Sequence, residues 1–512
     1  MPNLTVGKTQ KITITVGIML VMFLASLDML IVANALPKIA DLLDGKSYQT
    51  WAITVYTLTM TVVVPVAGKL SDLYGRKHIY IVGILWFTLG SGLVALSGSM
   101  LQLIILRGVQ AIGGGIVMGV SMAIIADVFP PAEVGKYMGI IMSMSSLASL
   151  VGPTVGGFLV DHANWHWVFL INVPVGVAAA IVLGLGLPAL KSHNTEARVD
   201  YLGAVLIMVF TIPLMLALTL GGHAGNGGYG WSTPPIIGLF ILAVLGLVGL
   251  VIQESRTSQP IIPITYFRRR AFTVVNATNF LITIAMFGTM VFMPQLCQYL
   301  LGYSPTMSGG LQTPLMVCMM IASIICGQLV ARLGTYKAIT VAGGVIAVIS
   351  CLWLLTLGQN TGHASIIGVM AVFGVGMGMV FPTLTIVLQN TFTTSEIGAA
   401  TASFQFFKNF ATSLGVAILG ATLAATQQSL TTSRAPQLAA ATTAPAAQQV
   451  KLGILSDSFH AVFLVCAGFA VLALIVSVFL PRVPLRHDEP ETAPHSHGAE
   501  LEATLTTTGA SA

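Results

Sequence analysis

One acidic residue of this chain lies well inside a long apolar stretch. That residue is Asp28, and the other sixteen Asp and Glu residues lie in polar segments or near the ends of apolar ones. A carboxylate is costly to bury alone, so we expect Asp28 to face a polar space or a charged partner. Burial favours the neutral carboxyl group and a nearby cation favours the ionised one, so a carboxyl group between these influences can exchange a proton. A structural contact between helices is the alternative interpretation.

Two basic residues, Arg107 and Lys408, also lie within apolar stretches, as Asp28 does. Arg107 precedes Gln110 by three residues, which places both side chains on one face of a helix. Arginine stays protonated at all relevant pH values, so Arg107 is a candidate partner for a buried acid or for a water path, and pairing with a carbonyl group is the alternative. Lys408 lies in the aromatic segment 404–410, where a site role and a snorkelling structural role both stay open.

A charged turn separates two apolar stretches near residue 70. It contains Gly68, Asp72, Gly75, Arg76 and Lys77. The glycines allow a tight reversal and close helix approach, while Asp72 can cap the next helix or pair with a basic residue. We predict a gate at this turn. The alternative is that its charges only fix the orientation of the chain.

A second segment combines proline with small residues. Gly152, Pro153, Gly156 and Gly157 follow Ala148 in an apolar stretch. Proline removes a backbone hydrogen bond and kinks a helix, and the glycines leave a flat face. We predict a hinge that packs against another part of the protein, with an ordinary kink as the alternative.

The composition shows which environment must hold these residues. The chain has 512 residues, 55% hydrophobic and 8% charged, with a mean hydropathy of +0.89. Soluble domains carry about 25% charged residues. So few charged residues cannot cover the surface of a soluble protein of this size. The composition therefore excludes a cytosolic enzyme, a disordered protein and a nucleic-acid binder.

Fourteen apolar runs are long enough to cross a bilayer, which takes roughly 20 residues each. The stretch between Ala271 and Ala331 contains no charged residue, and we divide it at the turn formed by residues 302–305. The last two runs, 398–425 and 459–481, are separated by what we predict to be the longest loop, 426–456. The sequence predicts an all-α polytopic membrane protein.

Lysine and arginine are distributed unevenly between the two sides of these runs. If the N-terminus is cytoplasmic, sixteen of the 22 Lys and Arg residues lie on the cytoplasmic side, four outside and two within runs. Cytoplasmic loops carry the excess of basic residues. We therefore expect a multi-pass protein of the cytoplasmic (inner) membrane with both termini in the cytoplasm.

The chain contains a weak internal repeat. Gly68 and Gly75 recur as Gly327 and Gly334, with a leucine at the same position between them and eight apolar runs in between. Internal repeats of this type occur in transporters. We predict an N-terminal six-helix bundle (1–190), two inserted transmembrane helices (191–256), a C-terminal six-helix bundle (257–481) and a disordered cytoplasmic tail (482–512).

Taken in order, several of these segments resemble the signatures of one family. Residues 68–77 resemble the G-x-L-x-D-x-x-G-R-[KR] signature of the major facilitator superfamily, and residues 107–113 resemble its fourth-helix R-x-x-Q-x-x-G signature. Four further segments resemble signatures of the fourteen-helix drug:proton antiporter branch of this family. They are residues 27–37, which include Asn34, the pair Trp51 and Tyr56, residues 148–157 and residues 165–176. Lys408 lies where this family commonly has arginine. The resemblance covers all but the two tails.

The resemblance implies the major facilitator fold, two six-helix bundles plus two inserted helices, and a transporter rather than an enzyme. It implies multidrug efflux of small amphiphilic toxic compounds by proton antiport with alternating access. It assigns proton coupling to Asp28 and Arg107, and a helix-packing or substrate-cavity role to the residues Asn34, Trp51, Tyr56, Gln110, Gln405 and Lys408. The gate and hinge described above keep those roles.

The expected partners are drugs, protons and the lipid bilayer, and a periplasmic adaptor stays open. No cofactor or metal is expected, because the sequence has no GxxxxGK[ST] motif and the proton gradient supplies the energy. The embedded charges of Asp28, Arg107 and Lys408 add to +1, so we expect neutral or monocationic cargo rather than dications. A dedicated exporter of one natural product, siderophore, peptide or lipid is the alternative function.

Overall fold

The computed structural model describes residues 7–129, 131–188, 200–221, 229–257, 263–392, 396–441 and 443–481, and this part of the chain is almost entirely helical. The helices, in chain order, are α1 Lys8–Leu42, α2 Gln49–Tyr74, α3 Arg76–Ala95, α4 Met100–Val128, α5 Pro131–His162, α6 Trp167–Leu170, α7 Asn172–Gly186, α8 Tyr201–Leu220, α9 Pro234–Arg256, α10 Arg270–Gln295, α11 Pro305–Leu333, α12 Lys337–Leu354, α13 His363–Thr391, α14 Ile397–Ser433, α15 Ala435–Ala440 and α16 Ala444–Val478. A π-helical segment, Leu296–Leu300, extends α10.

Within the described residues, thirteen helical segments are long and apolar enough to cross a membrane. Helix α5, with 32 residues, occupies the place of the fifth predicted span. The prediction of an all-α polytopic membrane protein is confirmed.

The turn at residues 302–305 divides the long uncharged stretch as predicted. Gly302 has a φ of +68°, which ends the preceding helical segment in a conformation that favours glycine. The Ser304 side chain then accepts a hydrogen bond from the Met307 backbone N–H, and Pro305 takes the first position of α11.

The second glycine of each repeated motif ends a helix. Gly75 ends α2 with a φ of +93°, and Gly334 ends α11 with a φ of +65°. Residues with a Cβ atom rarely adopt a positive φ, and asparagine is the main exception in the left-handed helical region. The repeat in the sequence therefore corresponds to the same structural event in the two halves of the chain.

The prediction of a long loop at 426–456 is wrong. Helix α14 continues to Ser433, α15 follows, and α16 begins at Ala444. The segment is rich in alanine and glutamine, which favour helix even in a polar segment. An ion pair between Arg434 and Asp457 fastens the turn to α16, and the side chain of Thr443 caps the start of α16.

The long helices pack as two six-helix bundles with a helix pair beside them. We name α1–α7 the N-terminal bundle, α10–α16 the C-terminal bundle, and α8–α9 the inserted pair; α8 contacts both α2 and α14. The bundles meet along α5 with α11 and along α2 with α14. The limits predicted for the domains stay predictions, and residues 189–199 and 482–512 lie outside the described part.

The turns define two sides of the molecule. The α1–α2 side carries the turns α1–α2 and α10–α11. Beside these turns, the Tyr299 hydroxyl donates a hydrogen bond of 3.0 Å to the carbonyl of Pro37 in α1. The α2–α3 side carries the predicted gate.

Candidate functional site

Asp28 and Arg107 form an ion pair inside the N-terminal bundle. Asp28 lies on α1 and Arg107 on α4, and their side chains are 0% and 1% exposed. Arg107 Nη1 donates to Asp28 Oδ2 over 2.5 Å. The two charges that the sequence placed in apolar stretches thus neutralise each other.

Two amides complete the surroundings of the carboxylate. Asp28 Oδ1 accepts hydrogen bonds from Gln110 Nε2 at 3.0 Å and from Asn172 Nδ2 at 2.6 Å. Gln110 Oε1 also accepts from Arg107 Nη1 at 2.8 Å, so the predicted common face of α4 is confirmed. Asn172 donates further to Ser91 Oγ at 2.9 Å. We call Asp28, Arg107, Gln110 and Asn172 the Asp28 centre.

Close helix packing holds this centre in place. A methyl group at Gly90 of α3 would lie 2.7 Å from the Cα atom of Gln110, and one at Gly113 of α4 would lie 2.3 Å from the Phe87 backbone nitrogen. Because these glycines have no side chain, α3 and α4 can touch through their backbones. The ring of Tyr56 covers the guanidinium, with Arg107 Cζ at 3.9 Å from the ring centroid.

The geometry links the charge of Asp28 to the packing of three helices. The carboxylate receives hydrogen bonds from α4 and α7 while it lies on α1. Charge-assisted hydrogen bonds are the stronger kind, and each of these requires an acceptor oxygen. A proton on Oδ2 would remove the ion pair and turn this acceptor into a donor, so the contact between α1 and α4 through Arg107 depends on the charge of the carboxyl group. No group of three His, Cys, Asp or Glu side chains suited to a metal occurs among the described residues.

The predicted hinge lies at the contact between the bundles. Asn34 Nδ2 donates both to the Pro153 carbonyl of α5, at 2.8 Å, and to the Pro305 carbonyl of α11, at 2.9 Å. Asn34 therefore joins α1, α5 and the opposite bundle at one point. Gly152 and Gly156 face α1, where added methyl groups would lie 2.9 Å from Leu30 Cβ and 2.7 Å from the Ile31 carbonyl oxygen.

More contacts between the bundles lie on the same side of the molecule. Gln298 Nε2 donates to the Asn34 carbonyl at 3.0 Å, and the Tyr299 hydroxyl donates to Gln49 Oε1 at 2.9 Å. Asp161 at the end of α5 accepts from the Thr306 backbone N–H at 2.8 Å, at the start of α11. The structure is thus closed between the bundles on the α1–α2 side.

The remaining cavity candidates lie apart from the Asp28 centre. Trp51 is partly buried and packs against the hydrophobic core. Gln405 and Lys408 of α14 are partly exposed, and Lys408 Nζ lies 5.1 Å from the centroid of the Phe381 ring on α13. Gln110 belongs to the centre and the Tyr56 ring covers it, whereas Trp51, Gln405 and Lys408 do not contact it through any hydrogen bond seen in the described residues.

The predicted gate is organised around Arg76. Its Nε donates to Asp127 Oδ2 of α4 at 2.7 Å, and its Nη1 donates to Ser71 Oγ at 2.7 Å. Lys77 is partly buried, and the side chain of Asp72 lies outside the described part of the structure. A methyl group at Gly68 would meet no heavy atom within 4 Å, so close packing does not explain that glycine. Whether this turn acts as a gate stays a prediction.

Sequence reasoning did not single out Asn172 and Ser91. Asn172 stands at the start of α7, within the segment 165–176 that carried the family resemblance, and a buried amide there was an available signal. Ser91 Oγ donates to the Phe169 carbonyl at 2.9 Å, and nothing in its sequence surroundings distinguishes it from other small residues.

Comparison with known proteins extends these observations. The family model of the Major Facilitator Superfamily matches residues 18–416. The multidrug transporter protein MdtP of Bacillus subtilis (strain 168) is 40% identical over 429 residues, which cover 84% of this chain and 78% of MdtP. Multidrug resistance protein 3 of the same strain is 31% identical over 407 residues, covering 80% of this chain and 78% of that protein.

A solved structure gives the same fold. A bacterial homologue of the human lysosomal transporter Spinster, in an inward-facing and unoccupied conformation, superposes with a TM-score of 0.65 at 12% identity, over 94% of this chain and 99% of that one. The helical bundles, the family match and the transporter relatives agree with one another. This chain is a multi-pass membrane transporter and belongs to the Major Facilitator Superfamily.

Proposed function

We propose that this transporter exports small amphiphilic, toxic compounds in exchange for protons. The observation that carries the proposal is the sealed Asp28–Arg107 pair, in which one carboxylate holds hydrogen bonds from two other helices. A buried ionisable residue in a membrane bundle marks a functional site by default. Two B. subtilis relatives, a multidrug transporter and a multidrug resistance protein, support the choice of drugs as cargo.

The excess of Lys and Arg on the α2–α3 side supports assigning this side to the cytoplasm. The contacts through Asn34, Gln298 and Tyr299 then close the path toward the exterior. On this assignment the contacts between the bundles on the outer side are formed, and the structure is closed toward the exterior. Cargo enters from the cytoplasm or the inner leaflet, and the outer contacts must break before it leaves.

Helix α1 links the proton site at Asp28 to the outer contacts at Asn34. Asp28 and Asn34 lie six residues apart on this helix, about 9 Å along its axis. A proton that reaches Asp28 in the outward-open state weakens the contacts of α1 with α4 and α7. Release of that proton to the cytoplasm restores them, and α1 then returns Asn34 to the carbonyl groups of Pro153 and Pro305.

The test uses purified protein in proteoliposomes with an amphiphilic dye and an imposed pH gradient. Asp28→Asn is expected to abolish gradient-driven dye movement, because the amide cannot exchange the proton, while dye binding without a gradient persists. Asp41→Asn is the matched control, because Asp41 pairs with Lys46 at 2.7 Å but its side chain is 39% exposed. Coupled transport that survives Asp28→Asn contradicts the proton role.

The range of cargo decides between the two candidate functions. Protection of cells against many unrelated amphiphiles supports multidrug efflux, and protection against one compound alone supports the dedicated exporter. A protonophore that leaves efflux intact would instead indicate a facilitator without proton coupling.

A further inference from the structure

Asp28, Arg107 and Lys408 are charged residues within membrane-spanning helices, and their surroundings in the structure differ. Asp28 and Arg107 neutralise each other in the N-terminal bundle and are no more than 1% exposed. Both oxygens of Asp28 already accept hydrogen bonds. The third charge, that of Lys408, lies in the C-terminal bundle. Because Asp28 already pairs with Arg107, the Asp28 centre has no free negative charge that could pair with Lys408.

Lys408 has an aromatic neighbour instead of an acidic one. Its ammonium nitrogen lies 5.1 Å from the ring centroid of Phe381, at cation–π distance. The ion pairs found among the described residues join other side chains, and none brings a carboxylate within 4 Å of Lys408. A lysine ammonium group has three N–H donors. The Phe381 ring lies on one side of it, so N–H donors remain for a hydrogen bond to another group.

The surroundings of Lys408 are accessible. Gln405, Lys408 and Asn409 form a polar stripe on one face of α14, and all three are partly exposed. The adjacent side chains of Phe404, Phe406 and Phe410 are buried. Phe381 lies on α13, which packs against α10, α11 and α12. Lys408 therefore reaches from α14 toward the interior of the C-terminal bundle.

From this arrangement we infer that Lys408 binds the anionic group of amphiphilic cargo, with a carboxylate as the representative chemistry. The inference rests on the proposed function and names its class of substrate. A partly exposed ammonium that has no carboxylate of the described residues within 4 Å gains from an incoming carboxylate, and a charge-assisted hydrogen bond fixes the contact. The ring of Phe381, which is partly exposed, offers an apolar surface to the rest of the cargo molecule.

This inference replaces the expectation of neutral or monocationic cargo. That expectation used only the sum of the three embedded charges, +1, and not where each charge lies. Because Asp28 is fully used by Arg107, Gln110 and Asn172, the charge open to cargo is that of Lys408. Like charges in the same low-dielectric space repel, so lipophilic cations bind less well than anions of the same shape.

The test is an equilibrium binding series with pyrene compounds that differ only in charge. The probes are 1-pyrenebutyrate, its methyl ester and a pyrenebutyl-trimethylammonium salt, each titrated against the purified full-length protein in detergent at pH 7. The wild-type protein is expected to bind the carboxylate at least tenfold more tightly than the cation. Lys408→Met should lower carboxylate affinity about tenfold or more and leave the ester within about twofold. Lys408→Arg should retain the preference, and Lys451→Met, at an exposed lysine of α16, should match the wild type.

Three results would overturn the inference: equal losses for all three probes in Lys408→Met, unchanged carboxylate binding in that variant, or a wild-type preference for the cation. The last measurement needs no variant and so survives a failure of Lys408→Met to fold. Binding is measured without a gradient, so its outcome is separate from the Asp28 coupling test. Charge-selective binding without gradient-driven transport would leave Lys408 supported and the antiport proposal refuted.

Discussion

Gly157 of α5 and Pro305 of α11 meet backbone to backbone across the two bundles. A methyl group at Gly157 would lie 2.2 Å from the Pro305 carbonyl oxygen. The contact is reciprocal, because a methyl group at Gly309 would lie 2.1 Å from the Pro153 carbonyl oxygen. Each helix therefore presents a proline carbonyl to a glycine of its partner, and each proline precedes its own glycine by four residues. The bundles can close on this side only because both glycines lack a Cβ atom.

We predict that Gly157→Ala opens this contact. The added methyl group would overlap a backbone oxygen that cannot rotate away, and overpacking of this kind costs about 1–3 kcal/mol. The measurement is disulfide formation between cysteines at Thr154 and Thr313, whose hydroxyl oxygens are 3.2 Å apart. In a protein whose five native cysteines are replaced by alanine, the cross-link should form readily, and Gly157→Ala should reduce its yield by more than half.

Gly310 provides the control. It follows Gly309 directly, but a methyl group there would meet no heavy atom within 4 Å. Gly310→Ala should leave the cross-link unchanged, and Gly309→Ala should reduce it as Gly157→Ala does. Equal effects at Gly309 and Gly310 would show that helix propensity, not the contact, controls closure.

The sequence predicted the parts of the site that depend on local spacing. Arg107 and Gln110 share a helix face because they are three residues apart, and Pro153 with its glycines forms a contact surface because small residues leave helix backbones exposed. The helical character of the spans follows from their apolar length. These properties belong to one segment at a time, so a single sequence contains them.

Contacts between distant segments were not available in the same way. That Asn172 donates to Asp28, 144 residues earlier, depends on how α7 packs against α1. That Asp28 and Arg107 neutralise each other and leave Lys408 apart is also a tertiary contact, so the sequence contains the sum of the three charges but not their arrangement. The predicted loop at 426–456 failed because polarity was given more weight than the helix propensity of alanine.

We predict that removing one partner of the Asp28–Arg107 ion pair lowers the free energy of unfolding much more than removing both charges together. Arg107→Met leaves a buried carboxylate without its cation, and breaking a buried pair in this way costs about 3–5 kcal/mol. The double variant Asp28→Asn with Arg107→Met removes both charges and should recover most of the loss. Thermal unfolding in detergent measures both effects.

An exposed ion pair gives the comparison for this prediction. Arg434 and Asp457 are 30% and 44% exposed, and Arg434→Met should change stability by no more than about 1 kcal/mol. If the double variant in the Asp28 centre were as unstable as Arg107→Met alone, the guanidinium would contribute through packing against Tyr56 rather than through its charge.

The two glycines that end α2 and α11 should respond differently to asparagine. Gly334 has φ +65° and ψ 7°, the left-handed helical conformation that asparagine tolerates, whereas Gly75 has φ +93° and ψ 132°, which suits glycine alone. Gly334→Asn should therefore be close to neutral, Gly334→Val destabilising, and Gly75→Asn destabilising by about 1–3 kcal/mol.

The first glycines of the two motifs, Gly68 and Gly327, are matched controls, since each is helical and has open space at the position of a side chain. Asparagine at Gly68 or Gly327 should change the free energy of unfolding only slightly in the same assay. If it lowered stability as much as Gly75→Asn does, the backbone conformation of Gly75 would not explain the effect at that turn.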